Sequence, residues 1–302
     1  MRVFVTGASG FIGSAVVPEL IGAGHQVVGL ARSDASAAAL AAAGADVHRG
    51  ALDDLDSLRS GASVADGVIH LAFMHDFSDY PGAAQADLRA VEAIGAALED
   101  SGKPFVITSG TLLLALAALG RPATEEDASD PALPWVASEN AAVALAERGV
   151  RSSVVRLAPA VHGDRDEHGF VPRLIGIARD RGVPGHIGDG SYRWPAVHQL
   201  DAAHLFRLAL EKASAGSVLH GVGDEGVPFR DIAAAIGRQL GLATAAISPE
   251  DAGDHFGDFA LFVSLDNPTP SALTQERLGW RPVHTGLIDD LDQGHYFRTP
   301  TT

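Results

Sequence analysis

Short apolar runs alternate with longer amphipathic stretches through the first half of the chain. The runs are RVFVT, QVVGLA, ADVHRG, GVIHLAF, PFVITSG and SSVVRLAP. Their length and composition predict about six buried strands, and the stretches between them predict helices. Strands separated by helices pair in parallel through right-handed crossovers. The pattern therefore predicts an α/β fold, a doubly wound parallel sheet with helices on both faces.

The alternation becomes less regular after residue 160. HGFVPRLIGIARDRG and PFRDIAAAIGRQLG predict helices, and SVLHGVGD predicts a strand. We therefore expect a first domain over residues 1–160, against which residues 195–222 pack back. A smaller C-terminal lobe is expected over residues 161–194 and 223–302.

The composition excludes several kinds of partner. The 302 residues carry 22 Lys and Arg against 38 Asp and Glu, a net charge of −16. This balance disfavours nucleic acid and anionic membrane surfaces. The chain has no cysteine, which excludes disulfides and thiolate catalysis. No targeting segment and no apolar run of roughly eighteen residues is visible, so we expect a cytoplasmic protein.

The turn TGASGFIG follows the first predicted strand and precedes the first predicted helix. In such a turn the first glycine permits a tight bend, the second lets the backbone approach a pyrophosphate, and the third permits close helix packing. The helix N-terminus offers free N–H groups to the phosphates. The sequence therefore predicts a dinucleotide-binding turn. The residues expected to contact the cofactor are Gly7, Ser9, Gly10, Phe11, Ile12 and Gly13.

The end of the second strand, VVGLARSD, indicates which dinucleotide is bound. An acidic side chain there would hold the ribose 2′-hydroxyl of NAD, whereas Arg32 and Ser33 suit a 2′-phosphate. Asp34 is interpreted as a helix N-cap. The sequence therefore favours NADP(H), and the alternative is that Arg32 is only a surface arginine.

These segments resemble the short-chain dehydrogenase/reductase superfamily, in its extended and atypical NAD-dependent epimerase/dehydratase-like branch. VFVTGASGFIG, GVIHLA, FVITSG, VVRLAPAVHG, WPAVHQLDAA and RLGWRP occur in the family's order across nearly the whole chain. The resemblance implies an NADP-binding Rossmann domain and a lobe that binds a small-molecule substrate. It places Leu52 near the adenine, Leu71 and Ala72 along the ribose, and Pro159 and His162 beside the nicotinamide. Because members often form dimers, it also suggests a homodimer.

The family's catalytic Tyr-x-x-x-Lys pair is missing. In the family the tyrosine is the general acid and the lysine lowers its pKa. Aligning PWVASENAA with that motif places Trp135 at the tyrosine and Glu139 at the lysine. An indole does not exchange a proton usefully, and a carboxylate reverses the charge of the lysine. If the protein is an enzyme, another group supplies the proton.

Several side chains are candidates for the catalytic role. Ser109 and Thr111 flank the position of the family's catalytic hydroxyl, and either could donate a hydrogen bond to a substrate carbonyl or merely satisfy backbone groups. His162 stands where relatives often have tyrosine, and its imidazole titrates near neutrality. His75 follows the fourth strand, near Tyr80. The polar loop after His162 is interpreted without a metal.

Another pair of polar residues lies in the segment WPAVHQLDAA. His198 and Asp201 come before and at the start of a predicted helix. We interpret Asp201 as an N-cap and the pair as a structural link between the two lobes, as in the family.

Three functions remain open at this stage. The first is an NADPH-dependent oxidoreductase that reduces a ketone or aldehyde by hydride transfer, with the proton supplied by His162, a threonine–water relay or solvent. The second is a catalytically degenerate NADP-sensing protein, like the NmrA-type regulators. The third, sugar-nucleotide epimerisation or dehydration, is less favoured because it also depends on the missing tyrosine.

Overall fold

The computed structural model describes residues 1–74, 79–117, 119–133 and 136–298. Three sheets form within these ranges. Their strands in chain order are β1 (Arg2–Thr6), β2 (Gln26–Ala31), β3 (Asp46–Arg49), β4 (Gly67–His70), β5 (Pro104–Gly110), β6 (Arg151–Leu157), β7 (Ala160–His162), β8 (Gly185–Ile187), β9 (Arg193–His198), β10 (Ser217–Gly221), β11 (Asp224–Pro228) and β12 (Ala245–Ile247).

Helices connect most of these strands. Short 3-10 helices lie at residues 145–148, 257–259 and 295–297. The α-helices are α1 (Gly13–Gly22), α2 (Asp34–Ala42), α3 (Leu55–Ser63), α4 (Tyr80–Leu98), α5 (Leu112–Ala115), α6 (Val136–Ala144), α7 (Phe170–Arg181), α8 (Gln199–Lys212), α9 (Phe229–Leu240), α10 (Ala252–Phe256), α11 (Ala260–Val263), α12 (Ala272–Leu278) and α13 (Leu287–Asp292).

The largest sheet confirms the predicted doubly wound Rossmann fold. Its order is β10-β6-β5-β4-β1-β2-β3 across the described residues, and every neighbouring pair is parallel. From β1 the chain first builds outward through β2 and β3, and then crosses to β4 on the other side. The direction of winding therefore reverses between β1 and β4, and the carboxyl ends of the strands at this reversal form the crevice in which such sheets bind ligands.

Helices cover both faces of this sheet because successive strand residues point to opposite faces. Val3 and Val5 are buried in one core with residues of α1, α2 and α8. Phe4, between them, is buried in the other core with residues of α3, α4 and α6. This alternation within β1 explains why a strand covered on both faces reads as a continuous apolar run.

β3 and β10 form the two edges of the large sheet. The prediction of buried strands is wrong for β3, which is an edge strand with exposed side chains at three of its four positions. β10 comes after the second part of the chain has begun, yet it pairs with β6 as the other edge of the large sheet.

The second part of the chain has a core of its own. Trp194, Phe229 and Phe259 are buried there together with residues of α7, α9 and α13. Two small sheets, β11-β9-β7 and β12-β8, frame this core within the described ranges. The proposed division of the chain into domains stays a prediction. Of the helices that the structure describes, none is long and apolar enough to cross a bilayer.

Candidate functional site

The glycine turn, residues 7–13, lies directly at the reversal point of the large sheet. Gly7 has φ of +64°, and a Cβ built on it would lie 2.7 Å from the backbone nitrogen of Ala72. A Cβ on Gly13 would lie 2.2 Å from the carbonyl oxygen of Gly7. Side chains are therefore excluded at both positions, and the backbone surface of the turn stays open.

This turn contains backbone amides that form no hydrogen bond to the described residues. α1 begins at Gly13, and its N-cap residue, Ile12, provides no side-chain hydrogen bond. The N–H groups of Phe11, Ile12 and Gly13 donate to no acceptor in the parts of the chain that the structure describes, and Ser9 and Gly10 are exposed. Free amides at the positive end of a helix dipole form an anion site. The turn thus fits the pyrophosphate of a dinucleotide.

A buried relay holds the opposite wall of this turn. The hydroxyl oxygen of Thr6 accepts from the N–H groups of Leu71 and Ala72 at 3.2 Å each and lies 2.8 Å from Nδ1 of His70. Its proton therefore points to Nδ1, which leaves Nε2–H of His70 to donate to Asp87 at 3.1 Å. The relay fixes Leu71 and Ala72, and sequence reasoning missed it because Thr6 and Asp87 belong to separate elements.

The end of β2 carries an exposed cation. Arg32 is exposed and forms no ion pair within the described ranges. Ser33 caps α2 by accepting from the N–H of Ser36 at 3.1 Å, so the prediction that Asp34 is the N-cap is wrong. Asp34 instead accepts a hydrogen bond of 2.6 Å from Arg49, which lies opposite Ala31 in the β2–β3 register. Two guanidinium groups therefore occupy this corner.

The other predicted cofactor residues follow the ends of neighbouring strands. Leu52 is half-buried in the turn after β3, and Leu71 and Ala72 are half-buried after β4. Pro159 is half-buried between β6 and β7. Since the strands are parallel, these positions share one edge of the sheet with the glycine turn.

Ser109 and Thr111 differ in their surroundings. Ser109 is half-buried at the carboxyl end of β5, and its hydroxyl forms no hydrogen bond to any described residue. Thr111 is fully buried, and its hydroxyl oxygen accepts a hydrogen bond of 3.0 Å from Nδ2 of Asn267. Ser109 is therefore the more available hydroxyl, while Thr111 joins the sheet edge to a segment 156 residues later.

Glu139, at the family's lysine position, is neutralised by an arginine. It lies in α6 and receives the guanidinium of Arg156, whose Nε is 3.1 Å from both carboxylate oxygens and whose Nη2 also donates to it. The two side chains are 4% and 2% exposed. Nη1 of Arg156 donates to the carbonyl of Asp127 at 2.9 Å. Trp135 lies outside the described residues.

Arg156 belongs to a row of polar residues across three strands. Ser109 and His220 lie opposite it in the β5–β6 and β6–β10 registers, so the three side chains share one face of the sheet. His220 is buried, donates from Nδ1 to the carbonyl of Pro270, and has a pKa lowered by burial. The signal for Arg156 was a lone charge within an apolar strand, but spacing alone did not pair it with Glu139.

His162 lies at the end of β7, in the small sheet, and is fully buried. Its Nδ1 is 2.9 Å from Oδ2 of Asp290 in α13, and its Nε2 has no hydrogen-bond partner within the described ranges. The structure therefore ties His162 to the C-terminal segment. His75 and the side chain of Tyr80 lie outside the described residues.

The loop after His162 folds onto the same C-terminal segment. Asp166 accepts hydrogen bonds from the N–H of Gly169 at 2.8 Å and from the hydroxyl of Tyr296 at 3.3 Å. Burial raises the pKa of the Asp166 carboxyl to about 6, and burial also raises the pKa of Tyr296. No group of three or more potential ligands able to hold a metal ion occurs in the described part of the chain.

The start of α8 is capped by His198, so the prediction that Asp201 is the N-cap is wrong. Nδ1 of His198 accepts from the N–H of Leu200 at 3.2 Å. Asp201 instead accepts from the N–H groups of Val283 and His284 at 3.0 Å each. Asp201 therefore joins α8 to the C-terminal segment.

Comparisons with known proteins agree with this fold. A model of the NAD dependent epimerase/dehydratase family matches residues 3–220. An uncharacterized protein of Schizosaccharomyces pombe is 49% identical over 98% of this chain and 100% of its own length. The 4-hydroxy-2-methyl-3-oxo-4-farnesyl-3,4-dihydroquinoline-1-oxide ketoreductase of Stigmatella aurantiaca is 26% identical over 72% of this chain and 67% of its own.

A solved structure resembles nearly the whole molecule. The double mutant of DesIV, a dTDP-glucose 4,6-dehydratase from Streptomyces venezuelae with NAD and DAU bound, has a TM-score of 0.78 at 20% identity. The alignment covers 99% of this chain and 98% of that chain, and at this identity it supports the fold. The family match shows that the chain belongs to the NAD-dependent epimerase/dehydratase family, within the extended short-chain dehydrogenase/reductase superfamily.

Proposed function

We propose that the protein is an NADP(H)-dependent oxidoreductase that reduces the carbonyl of a small organic ketone or aldehyde. The observation that carries this proposal is the open glycine turn beside an exposed arginine without an ion-pair partner among the described residues. The free amides of Phe11, Ile12 and Gly13 hold the pyrophosphate. Arg32 then faces the adenosine ribose, where a cation favours a 2′-phosphate.

The second guanidinium supports NADP(H) over NAD(H). Arg49 stands opposite Ala31, one residue before Arg32. Asp34, the nearby carboxylate that would otherwise accept from a ribose hydroxyl, is already bonded to Arg49. The corner therefore offers Arg32 to a phosphate and engages the acid that would compete with it.

The bound cofactor supplies a hydride to the carbonyl carbon of the substrate. Ser109 is our choice for the group that donates a hydrogen bond to the carbonyl oxygen, because its hydroxyl is accessible and uncommitted at the end of β5. As the oxygen gains negative charge, Ser109 passes it a proton and recovers one from solvent. Thr111, which accepts from Asn267, positions the backbone that follows Ser109.

Reduction is favoured over epimerisation or dehydration by the state of the Tyr-x-x-x-Lys position. The latter reactions rely on the family's tyrosine, and Glu139 cannot replace the lysine because it is committed to Arg156. Simple reduction asks less of the protein, since orienting the reactants accounts for much of its rate. The Stigmatella relative named above is a ketoreductase, in line with this choice.

The test is NADPH oxidation against a panel of aromatic ketones, β-keto esters and aldehydes, with NADPH affinity measured in parallel. We expect turnover with at least one panel member. Ser109→Ala should lower kcat about 100- to 10,000-fold, the usual scale for a positioned general acid, and leave the NADPH Kd unchanged. Ser60→Ala, at an exposed serine of α3, is the control.

Tight NADPH binding without turnover of any panel member would contradict the reductase proposal and favour a sensing role. Full activity of Ser109→Ala would remove that serine from the mechanism. His162→Phe and Thr111→Val, measured in the same way, test the alternative proton sources.

A further inference from the structure

A cleft of about 320 Å³ opens beside the carboxyl end of β5, a volume within the range of small-molecule sites. One wall is α5 and the segment after it, and the other contains Arg193 and residues 266–268. Asn267 in this lining donates to Thr111, two residues beyond Ser109. Asn267 therefore connects the lining of the cleft to the residue that follows β5. The apolar lining is formed by Leu114, Ala115, Leu119, Pro122, Ala123 and Pro268.

The first cation of the cleft is neutralised by a fixed carboxylate. Arg121 donates to both oxygens of Asp127 at 2.8 and 2.6 Å. Asp127 also accepts from the N–H of Thr124 at 2.8 Å and from its hydroxyl at 3.1 Å. Arg121 and these bonds hold the pKa of the Asp127 carboxyl far below its usual value. Because Thr124 anchors it, the carboxylate stays beside the guanidinium.

The second cation is neutralised in the same manner. Arg193 donates from Nε and Nη2 to the two oxygens of Asp266 at 3.0 and 2.7 Å. The backbone N–H of Arg193 donates to the same carboxylate at 2.8 Å. Arg193 lowers the pKa of Asp266. A ligand anion entering the cleft would therefore meet a fixed carboxylate at each guanidinium.

We infer that this cleft binds an uncharged carbonyl compound, and not a nucleoside-diphosphate sugar or a keto acid. The inference deepens the proposed function and rests on it for the ligand's role as substrate. Two neutral ion pairs leave no free cation for a diphosphate among the described lining residues, and the net charge of −16 further disfavours anions. Polar and apolar groups contribute about equally to the accessible surface of the lining, so the apolar side chains attract the hydrocarbon part of such a compound and the polar groups attract its carbonyl.

A matched pair of ligands tests the charge preference. Methyl 4-acetylbenzoate and 4-acetylbenzoate share one ketone and differ by a charge. Each is titrated by calorimetry into the protein, with and without saturating NADP⁺, so that binding is measured without turnover. We expect the ester to bind at least tenfold more tightly than the acid, and UDP-glucose not to displace it.

Variants locate the binding in the cleft. Ala115→Trp fills the cleft and should weaken ester binding more than tenfold without changing the NADP⁺ Kd. Leu119→Trp, at a more exposed position, serves if Ala115→Trp does not fold, and Val283→Trp, outside the lining, is the control. Asp266→Asn removes the counter-charge of Arg193. The ratio of ester affinity to acid affinity should then fall at least fivefold, and added salt should abolish this change.

Equal binding of ester and acid, or displacement of the ester by UDP-glucose, would overturn the inferred ligand class. Unchanged ester binding by both tryptophan variants would overturn the cleft as its site. Cleft-dependent ester binding without any NADPH oxidation would support the cleft's ligand class while contradicting the reductase proposal, so the two failures are distinguishable.

Discussion

Gly7 combines a left-handed backbone with surroundings that leave no room for a side chain. Gly7→Ala forces a Cβ to within 2.7 Å of the Ala72 nitrogen and 2.7 Å of the Leu71 carbonyl carbon at φ of +64°. We expect a loss of about 1–3 kcal/mol in unfolding free energy from backbone strain. We also expect NADPH affinity to fall more than tenfold, because the turn moves away from the pyrophosphate.

Gly24→Ala is the matched control for that change. Gly24 also has a positive φ, of +86°, but no atom lies within 4 Å of its Cβ position. It should therefore lose stability through strain alone and keep its NADPH affinity. Urea unfolding and fluorescence titration of NADPH measure both quantities, and equal loss of affinity in the two variants would refute the steric account.

Arg32 decides the choice between the two dinucleotides in our proposal. Removing it should weaken NADPH binding by about 1.5–3 kcal/mol, the range for a hydrogen bond to a charged group, and leave NADH binding unchanged. The measurement is the Kd of each cofactor for Arg32→Ala. Arg59→Ala, which removes an exposed cation of α3, controls for net charge. A parallel loss for NADH and NADPH would contradict the assignment.

A residue of the site could be predicted from the sequence when its interacting partners are close to it along the chain, and not when they are distant. The glycine turn could be predicted because strand, turn and helix are adjacent in sequence. The partners of Glu139 and His162 could not, because Arg156 and Asp290 are 17 and 128 residues away and sequence spacing does not tell which side chains meet. The prediction that Asp34 is the N-cap of α2 is wrong for a local reason, because Ser33, one residue earlier, supplies the capping oxygen.

The contact between α6 and β6 depends on a buried ion pair. Glu139→Gln leaves the Arg156 guanidinium buried without its counter-charge, and breaking such a pair costs about 3–5 kcal/mol. Replacing both residues by methionine should recover most of that loss, because no charge then remains unpaired. The unfolding free energies of Glu139→Met, Arg156→Met and the double methionine variant form a mutant cycle that measures the coupling.

The exposed pair of Arg148 and Glu99 provides the comparison for this cycle. Each side chain is 45% exposed, so solvent screens the interaction and Glu99→Gln should destabilise the protein far less. If Glu139→Gln were no more destabilising than Glu99→Gln, α6 would not depend on the buried pair. An unchanged loss in the double variant would show that packing, and not charge, holds the contact.

Elements were predicted well where their burial was uniform. β1, β5 and β6 read as apolar runs because helices cover them on both faces, whereas β3 lies at an edge and has one apolar residue, Val47, among its four. In the apolar segment at residues 111–120, the described residues form the four-residue helix α5. That segment instead forms a wall of the cleft, and its apolar character reflects that position.

On the scale of the whole molecule, the chain closes on itself through polar contacts that join distant segments. Gln199 donates to the hydroxyl of Ser14 at 3.2 Å and to the carbonyl of Phe11, which brings the start of α8 to the glycine turn. Asn267 reaches Thr111, and Asp290 reaches His162. Strand and helix periodicity predicts layers but contains no information about such contacts, so the second part of the chain could be placed only in outline.

The pH dependence of stability follows from the contact between Asp166 and Tyr296 of the C-terminal segment. The Asp166 carboxyl has a pKa of about 6 in the folded protein because of burial, against an ordinary value of about 3.9. The folded state therefore binds this proton more tightly than the unfolded state, and ionisation of Asp166 costs stability as pH rises through 6. Asp166→Asn removes that cost and keeps an oxygen to accept from Gly169.

We expect Asp166→Asn and the wild type to have similar unfolding free energies near pH 4. At pH 8 the variant should be more stable by about 1–3 kcal/mol, from a pKa difference of about two units. Asp258→Asn, at an exposed aspartate, makes the same substitution at the surface. Its unfolding free energy should differ little from that of the wild type at either pH. Chemical denaturation from pH 4 to 8 makes the comparison. A difference between Asp166→Asn and wild type that does not grow with pH would mean that Asp166 ionises in the folded protein as easily as in the unfolded chain.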